Sequence, residues 1–311
     1  MRHEVIVTAK GHLPTFERLH REFQCHLMFE AAERAAFCTQ HAKVRGLAHF
    51  GHSLVDAKLM DSLPGLKIVS NFGVGVDQID LEAAKKRGII VTNAPDVLNE
   101  CVADTALALL LMTLRKYPQS EAYLRSGDWA TRGDYPLSVS LGGKTLGVLG
   151  LGRIGEAIAR RASACGMKIR YHNRNRKDVP YAYDPDPATL AKNCDVLMVV
   201  TPGGAATAKL VNAKVLDALG PKGFLVNIAR GSVVDEPVLL KYLQERKIAG
   251  AGLDVFADEP RVPAEFFALD NAVLLPHVAS ATAETRAAMG NHQVDNLAAY
   301  FAGKPVLTRV V

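Results

Sequence analysis

The chain has 311 residues, 49% of them hydrophobic and 22% charged, with a formal net charge of +5. That length suits two domains with sizeable buried cores. It argues against a membrane protein, since no apolar run reaches the roughly 20 residues a spanning helix needs. The mild positive charge is not gathered into a basic run and gives no basis for nucleic-acid binding. The start, Met1-Arg2-His3-Glu4-Val5, has no signal-peptide core. Five cysteines (Cys25, Cys38, Cys101, Cys165, Cys194) are scattered and never form a CxxC pair. Both features point to a cytoplasmic protein with reduced thiols, not a disulfide frame or zinc site.

In chain order, Val5-Ile6-Val7 predicts a strand and Leu13 to Phe23 a helix. A strand at Leu47 to Phe50 and a helix at Val55 to Leu63 follow, the latter stopped by Pro64-Gly65. Leu66 to Val69 predicts a strand running into Asn71-Phe72-Gly73-Val74-Gly75-Val76-Asp77, then a helix to Arg87 and a strand at Ile89 to Val91. This alternation is βαβ-like and predicts a small doubly wound unit. His49-x-x-His52 has metal-pair spacing but no convergent carboxylate, so no metal site is expected. Glu100 to Arg115 is almost wholly apolar and predicts a helix buried on every side, between two units. Gly127 to Gly143 reads as a turn-rich irregular segment holding the only tryptophan, Trp129, a packing anchor or a partner contact.

A second series begins at Gly143. The apolar run Thr145 to Leu149 leads into Gly150-Leu151-Gly152-Arg153-Ile154-Gly155, and a helical pattern follows. Strand, glycine turn and helix form the arrangement in which G-x-G-x-x-G binds a dinucleotide, with the pyrophosphate at the helix N-terminus. Later strands end at Asn173-Arg174, Thr201-Pro202, Ala229-Arg230-Gly231, Asp254 and Pro276-His277. Ligands of open parallel sheets bind beyond the carboxyl ends of the strands, where these residues fall. An NAD-preferring unit carries Asp or Glu about twenty residues beyond the glycines to hold the ribose 2′-OH. Here that place is His172-Asn173, followed by Arg174, Arg176 and Lys177. A guanidinium grips a 2′-phosphate that a carboxylate would repel, so NADP(H) is the expected cofactor, with NAD(H) possible.

Three polar residues suit carbonyl reduction, which puts a hydride on carbon and a proton on oxygen. His277 suits a proton donor, and a carboxylate such as Glu259 behind an imidazole fixes its tautomer. Arg230 offers a fork to the carboxylate and keto oxygens of a 2-oxo acid. With Ala103-Asp104 to Arg115, Asn227 to Glu236, Gly252 to Phe256, Glu259-Pro260 and Pro276-His277, nearly the whole chain resembles the D-2-hydroxyacid dehydrogenase family. Thr92 to Leu98, Asp217 to Gly223, Leu274 to Ser280 and Gly303 to Thr308 are most similar to its hydroxypyruvate/glyoxylate reductases.

The resemblance implies two doubly wound parallel-sheet α/β domains around a hinge cleft. Residues 1–97 with 286–311 would bind substrate, and residues 98–285 the dinucleotide. It implies reduction of glyoxylate or hydroxypyruvate to glycolate or D-glycerate, with His277 as acid, Glu259 orienting it and Arg230 holding substrate. The N–H groups of Val74 and Gly75 would take the substrate carboxylate and Asp254 the nicotinamide carboxamide. Thr201, Pro202, Ile228 and Ala229 would line the cofactor. Ser280 resembles a substrate contact and Trp129 one reaching a neighbouring subunit of a homodimer. Pro202-Gly203-Gly204-Ala205-Ala206 departs from the bulkier polar run of relatives. The alternatives are a D-lactate-type or phosphoglycerate-type dehydrogenase and, more distantly, a nucleotide-sensing corepressor-like binding protein.

Overall fold

The structure, a computed structural model, describes residues 2–51 and 53–311. His52, second of the two histidines with metal-pair spacing, lies outside the described residues. The chain divides into two compact units: Met1–Leu98 with Ala281–Val311, and Asn99–Ser280.

The first unit begins as β1 (Glu4–Val7), α1 (Leu13–Glu22), β2 (Gln24–Leu27), α2 (Arg34–Gln40) and β3 (Gly46–His49). It continues as α3 (Ala57–Ser62), β4 (Ile68–Asn71), α4 (Leu81–Lys86) and β5 (Ile90–Thr92). The strands form one parallel sheet in the order β2-β1-β3-β4-β5. Every residue of β3 and β4 is buried, because helices cover both faces of a parallel sheet and its strands then lose the alternating pattern. Asp56 and Asp80 cap α3 and α4, accepting from Leu59 N and Ala83 N. On one side the core gathers Ile6, Leu47, Val69 and Val91 with Leu59, Met60 and Leu63.

The second unit starts with α5 (Asn99–Arg115), α6 (Tyr117–Arg125) and α7 (Asp128–Arg132), then β6 (Thr145–Leu149), α8 (Arg153–Ala164), β7 (Lys168–His172) and β8 (Ala182–Tyr183). It ends with α9 (Pro187–Lys192), β9 (Val196–Val199), α10 (Ala213–Leu219), β10 (Phe224–Asn227), α11 (Glu236–Gln244), β11 (Gly250–Leu253) and β12 (Ala272–Leu274). Its seven parallel strands run β12-β11-β10-β9-β6-β7-β8, so the order reverses beside β6. The chain returns to the first unit as α12 (Ala283–Phe301), capped by Thr282. Both units are therefore parallel-sheet α/β domains of the expected class.

Two local expectations are corrected. Helix α5 buries one face (Val102, Ala106, Leu109, Leu110, Thr113) rather than its whole circumference. Ala108 is exposed and Leu107 and Leu111 are half-buried. The segment read as irregular contains α7, and Trp129 on it is 59% exposed, so it anchors no packing within its own unit. No described helix is long and apolar enough to cross a membrane.

Candidate active site

At the glycine turn, Gly150 has φ +105°, and a Cβ there would come within 2.7 Å of Thr201 N. A Cβ on Gly155 would come within 2.5 Å of Gly150 O, whereas one on Gly152 would meet no protein atom. Packing therefore requires the first and third glycines, while the middle one leaves the turn open to close approach by a ligand. Gly152 is the N-cap of helix α8 and supplies no side-chain cap. The first N–H groups of a helix have no partner within it, so those of Arg153, Ile154 and Gly155 suit a pyrophosphate. The residues present thus fit a dinucleotide.

Asn173 is tied to the glycine turn. Its Oδ1 accepts from Leu151 N at 2.6 Å and its Nδ2 donates to Leu151 O at 3.2 Å, so it clamps the turn. Arg174 and Arg176 are exposed beside it. Lys177 is engaged elsewhere, paired with Glu156 of α8. Thr201 and Pro202 follow β9, and Ile228 and Ala229, both buried, follow β10.

Three strand-end segments interlock around His277. The Asn227 side chain closes the first by accepting from Ala229 N and donating to Arg230 O, each at 3.0 Å. Arg230 is half-buried and donates from Nη1 to Ala229 O at 2.7 Å. A Cβ on Gly231 would fall 1.9 Å from the Phe256 carbonyl carbon, which seats this turn against the next segment. There Glu259, 13% exposed, accepts from Phe256 N at 2.9 Å and from His277 Nδ1 at 2.6 Å. The carboxylate fixes the imidazole with its Nδ1–H toward Glu259.

His277 has φ +53°, a conformation few side chains adopt readily. Asp254 holds it there. Its carbonyl accepts from His277 N at 2.8 Å, and its carboxylate from Val278 N and Ala279 N at 2.8 and 3.0 Å. The resemblance gave Asp254 a cofactor contact. In this chain the side chain is fully buried and both its oxygens serve the histidine turn. Burial pushes its carboxyl above the usual carboxylate range, against the pull of the two amides and His277. Ser280 is half-buried at the end of this segment. Trp129 stands apart on α7, its Nε1 3.4 Å from Asp134 Oδ1.

In the first unit, the loop after β4 carries Val74 and Gly75. Asn71 Nδ2 donates to the carbonyls of Gly73 and Gly75, both at 2.8 Å, and Asn93 Nδ2 to that of Val74 at 2.9 Å. With these carbonyls tied down, the N–H groups of Val74 and Gly75 donate to no acceptor among the described residues. Such a nest of amides suits an anion. Asn71 and Asn93 were missed as functional residues; an Asn ending a strand and shortly before a G-x-G is the signal that would have marked the first.

The D-isomer specific 2-hydroxyacid dehydrogenase NAD binding domain family matches residues 107–279. The chain belongs to the D-2-hydroxyacid dehydrogenase family. The glyoxylate/hydroxypyruvate reductase A of Arabidopsis thaliana is 46% identical over 94% of both chains. The hydroxyphenylpyruvate reductase of Plectranthus scutellarioides is 46% identical over 91% of this chain and 90% of its own. The solved NADPH-dependent glyoxylate/hydroxypyruvate reductase of Sinorhizobium meliloti, in complex with NADP and malonate, superimposes with a TM-score of 0.94 at 49% identity, over 100% of this chain and 97% of that one. An NAD(P)-dependent oxidoreductase of this dehydrogenase family has a ready use for each segment above: a glycine turn, an arginine turn and a carboxylate-backed histidine.

Proposed function

We propose that the protein reduces glyoxylate and hydroxypyruvate to glycolate and D-glycerate, using NADPH. The observation that carries this is the His277–Glu259 pair at 2.6 Å, interlocked through Phe256 with the Arg230 turn. The glycine turn and the first amides of α8 would hold NADPH, which would supply the hydride for C2 of the 2-oxo acid. Val74 and Gly75 amides receive the substrate carboxylate, and Arg230 holds and polarises the substrate. His277, its Nδ1 held by Glu259, delivers a proton from Nε2 to the developing alkoxide. Arg174 grips the 2′-phosphate, since the second strand ends without a carboxylate. Exposed Leu124, Trp129 and Leu137 around α6 and α7 support a homodimer formed through this region. The five cysteines form no disulfide among the described residues, which supports a reducing, cytoplasmic setting.

The test is loss of reduced-nicotinamide absorbance with NADPH and NADH in parallel. The substrates are glyoxylate, hydroxypyruvate, pyruvate, phosphohydroxypyruvate and hydroxyphenylpyruvate. Fast NADPH oxidation with the first two is expected. Preference for an aromatic or phosphorylated 2-oxo acid would overturn the substrate assignment, and preference for NADH the role of Arg174.

A further inference from the structure

We infer that His49 is a buried imidazolium that charges the anion-receiving loop of the first unit from behind. His49 ends β3, opposite Asn71 at the end of β4 in the parallel register. The two are 3% and 4% exposed. His49 Nε2 lies 2.7 Å from the Ser53 carbonyl oxygen, and Nδ1 lies 2.7 Å from Asn71 Oδ1. A carbonyl oxygen only accepts. Nor can the Asn71 amide turn over, because its Nδ2 already donates to the carbonyls of Gly73 and Gly75. Flipping it would set its oxygen against both.

Both ring nitrogens thus face acceptors, and only the doubly protonated ring donates from both. A neutral ring would press a lone pair against an oxygen at 2.7 Å. The polar side chains hydrogen-bonded around this site, from Thr8, Ser53, Ser70, Asn71, Thr92 and Gln293, carry no charge. A buried cation without a counter-charge is unfavourable. The loop it supports supplies the remedy. The carbonyl of Gly73 and the N–H of Val74 belong to one peptide group. The chain His49–Asn71–Gly73 therefore polarises the Val74 N–H toward whatever anion it meets, and Asn93 does the same for Gly75 through the Val74 carbonyl. His49 is a positioning residue whose charge is balanced when a carboxylate binds. This role rests on the reading of the Val74 and Gly75 amides as the carboxylate donors.

The deciding experiment is nitrogen-15 NMR of the histidine side chains in the intact protein at neutral pH. The His49 ring is assigned by its absence in His49→Gln, or through-space to Ser53 and Asn71 if that variant does not fold. Two protonated ring nitrogens are expected; one bare nitrogen overturns the inference, whatever the substrate proves to be. In steady-state kinetics His49→Gln, which keeps donors and removes charge, raises KM for glyoxylate about 10-fold or more, with kcat and NADPH affinity changed far less. An unchanged KM beside a doubly protonated ring overturns the link from His49 to the loop. Absence of turnover with every 2-oxo acid defeats the proposed reaction but leaves the ring's protonation state to be read.

Discussion

A histidine at φ +53° stays there only because its surroundings over-determine it. Asp254 grips three consecutive amides of the turn, and Glu259 grips the ring. His277→Ala is expected to lower kcat by about 10²-fold or more, as for a lost general acid, with NADPH affinity retained; turnover near normal would remove it from the chemistry. Under the proposed acid role of His277, the reductive rate is expected to fall and the oxidative rate to rise with increasing pH. A reductive rate that climbs through alkaline pH contradicts that sign. Arg174→Ala should raise KM for NADPH by about 10-fold or more while barely moving that for NADH. His277, Glu259 and Arg230 were legible because each follows a strand in a short, distinctive run. His49 and Asn71 were not, because their pairing depends on strand register and on the way one amide points.

At the scale of elements, the edge of the second sheet depends on one ion pair. Arg170 on β7 meets Asp184, just past β8, through two hydrogen bonds of 2.8 and 2.7 Å, and Asp184 is 2% exposed. Burial works against the Asp184 carboxylate, but Arg170 and Asn193 outweigh it and hold the carboxyl below its usual range. Its contribution to stability is therefore present above the unfolded carboxyl's range and lost as pH falls. Urea denaturation of Asp184→Asn should show a flatter acid limb than the parent protein. Arg170→Ala strands a buried charge and should cost about 3 kcal/mol. Gly231→Ala should lower kcat while leaving NADPH binding, followed by fluorescence, intact, because its Cβ collides with backbone that carries Glu259. Strand β8, two residues long, gave no readable pattern, and α7 was hidden by the glycines at its ends, Gly127 and Gly133. The apolar sequence of α5 overstated its burial: a residue's hydrophobicity says that it packs somewhere, not that its own unit covers it.

At the scale of the molecule, the proposed homodimer rests on exposed Leu124, Trp129 and Leu137, the last 101% exposed. Sedimentation should find a species of twice the 33.5 kDa chain mass. Leu124→Asp combined with Leu137→Asp should shift it toward the monomer; a monomeric parent protein would defeat the dimer proposal. Both sheets were legible as alternating βαβ patterns, because parallel strands and their crossover helices leave a strong periodic trace.

The first unit is written in two instalments, and that sets an order of assembly. Its five strands precede residue 98, but Gln293 on α12 donates to the carbonyls of His49 and Ser70, and Val310 N closes on Val91 O. During synthesis from the N-terminus, the whole of the second unit emerges before those bonds can form. The second unit is therefore free to finish first, while the first unit waits for α12 and the segment after it to emerge.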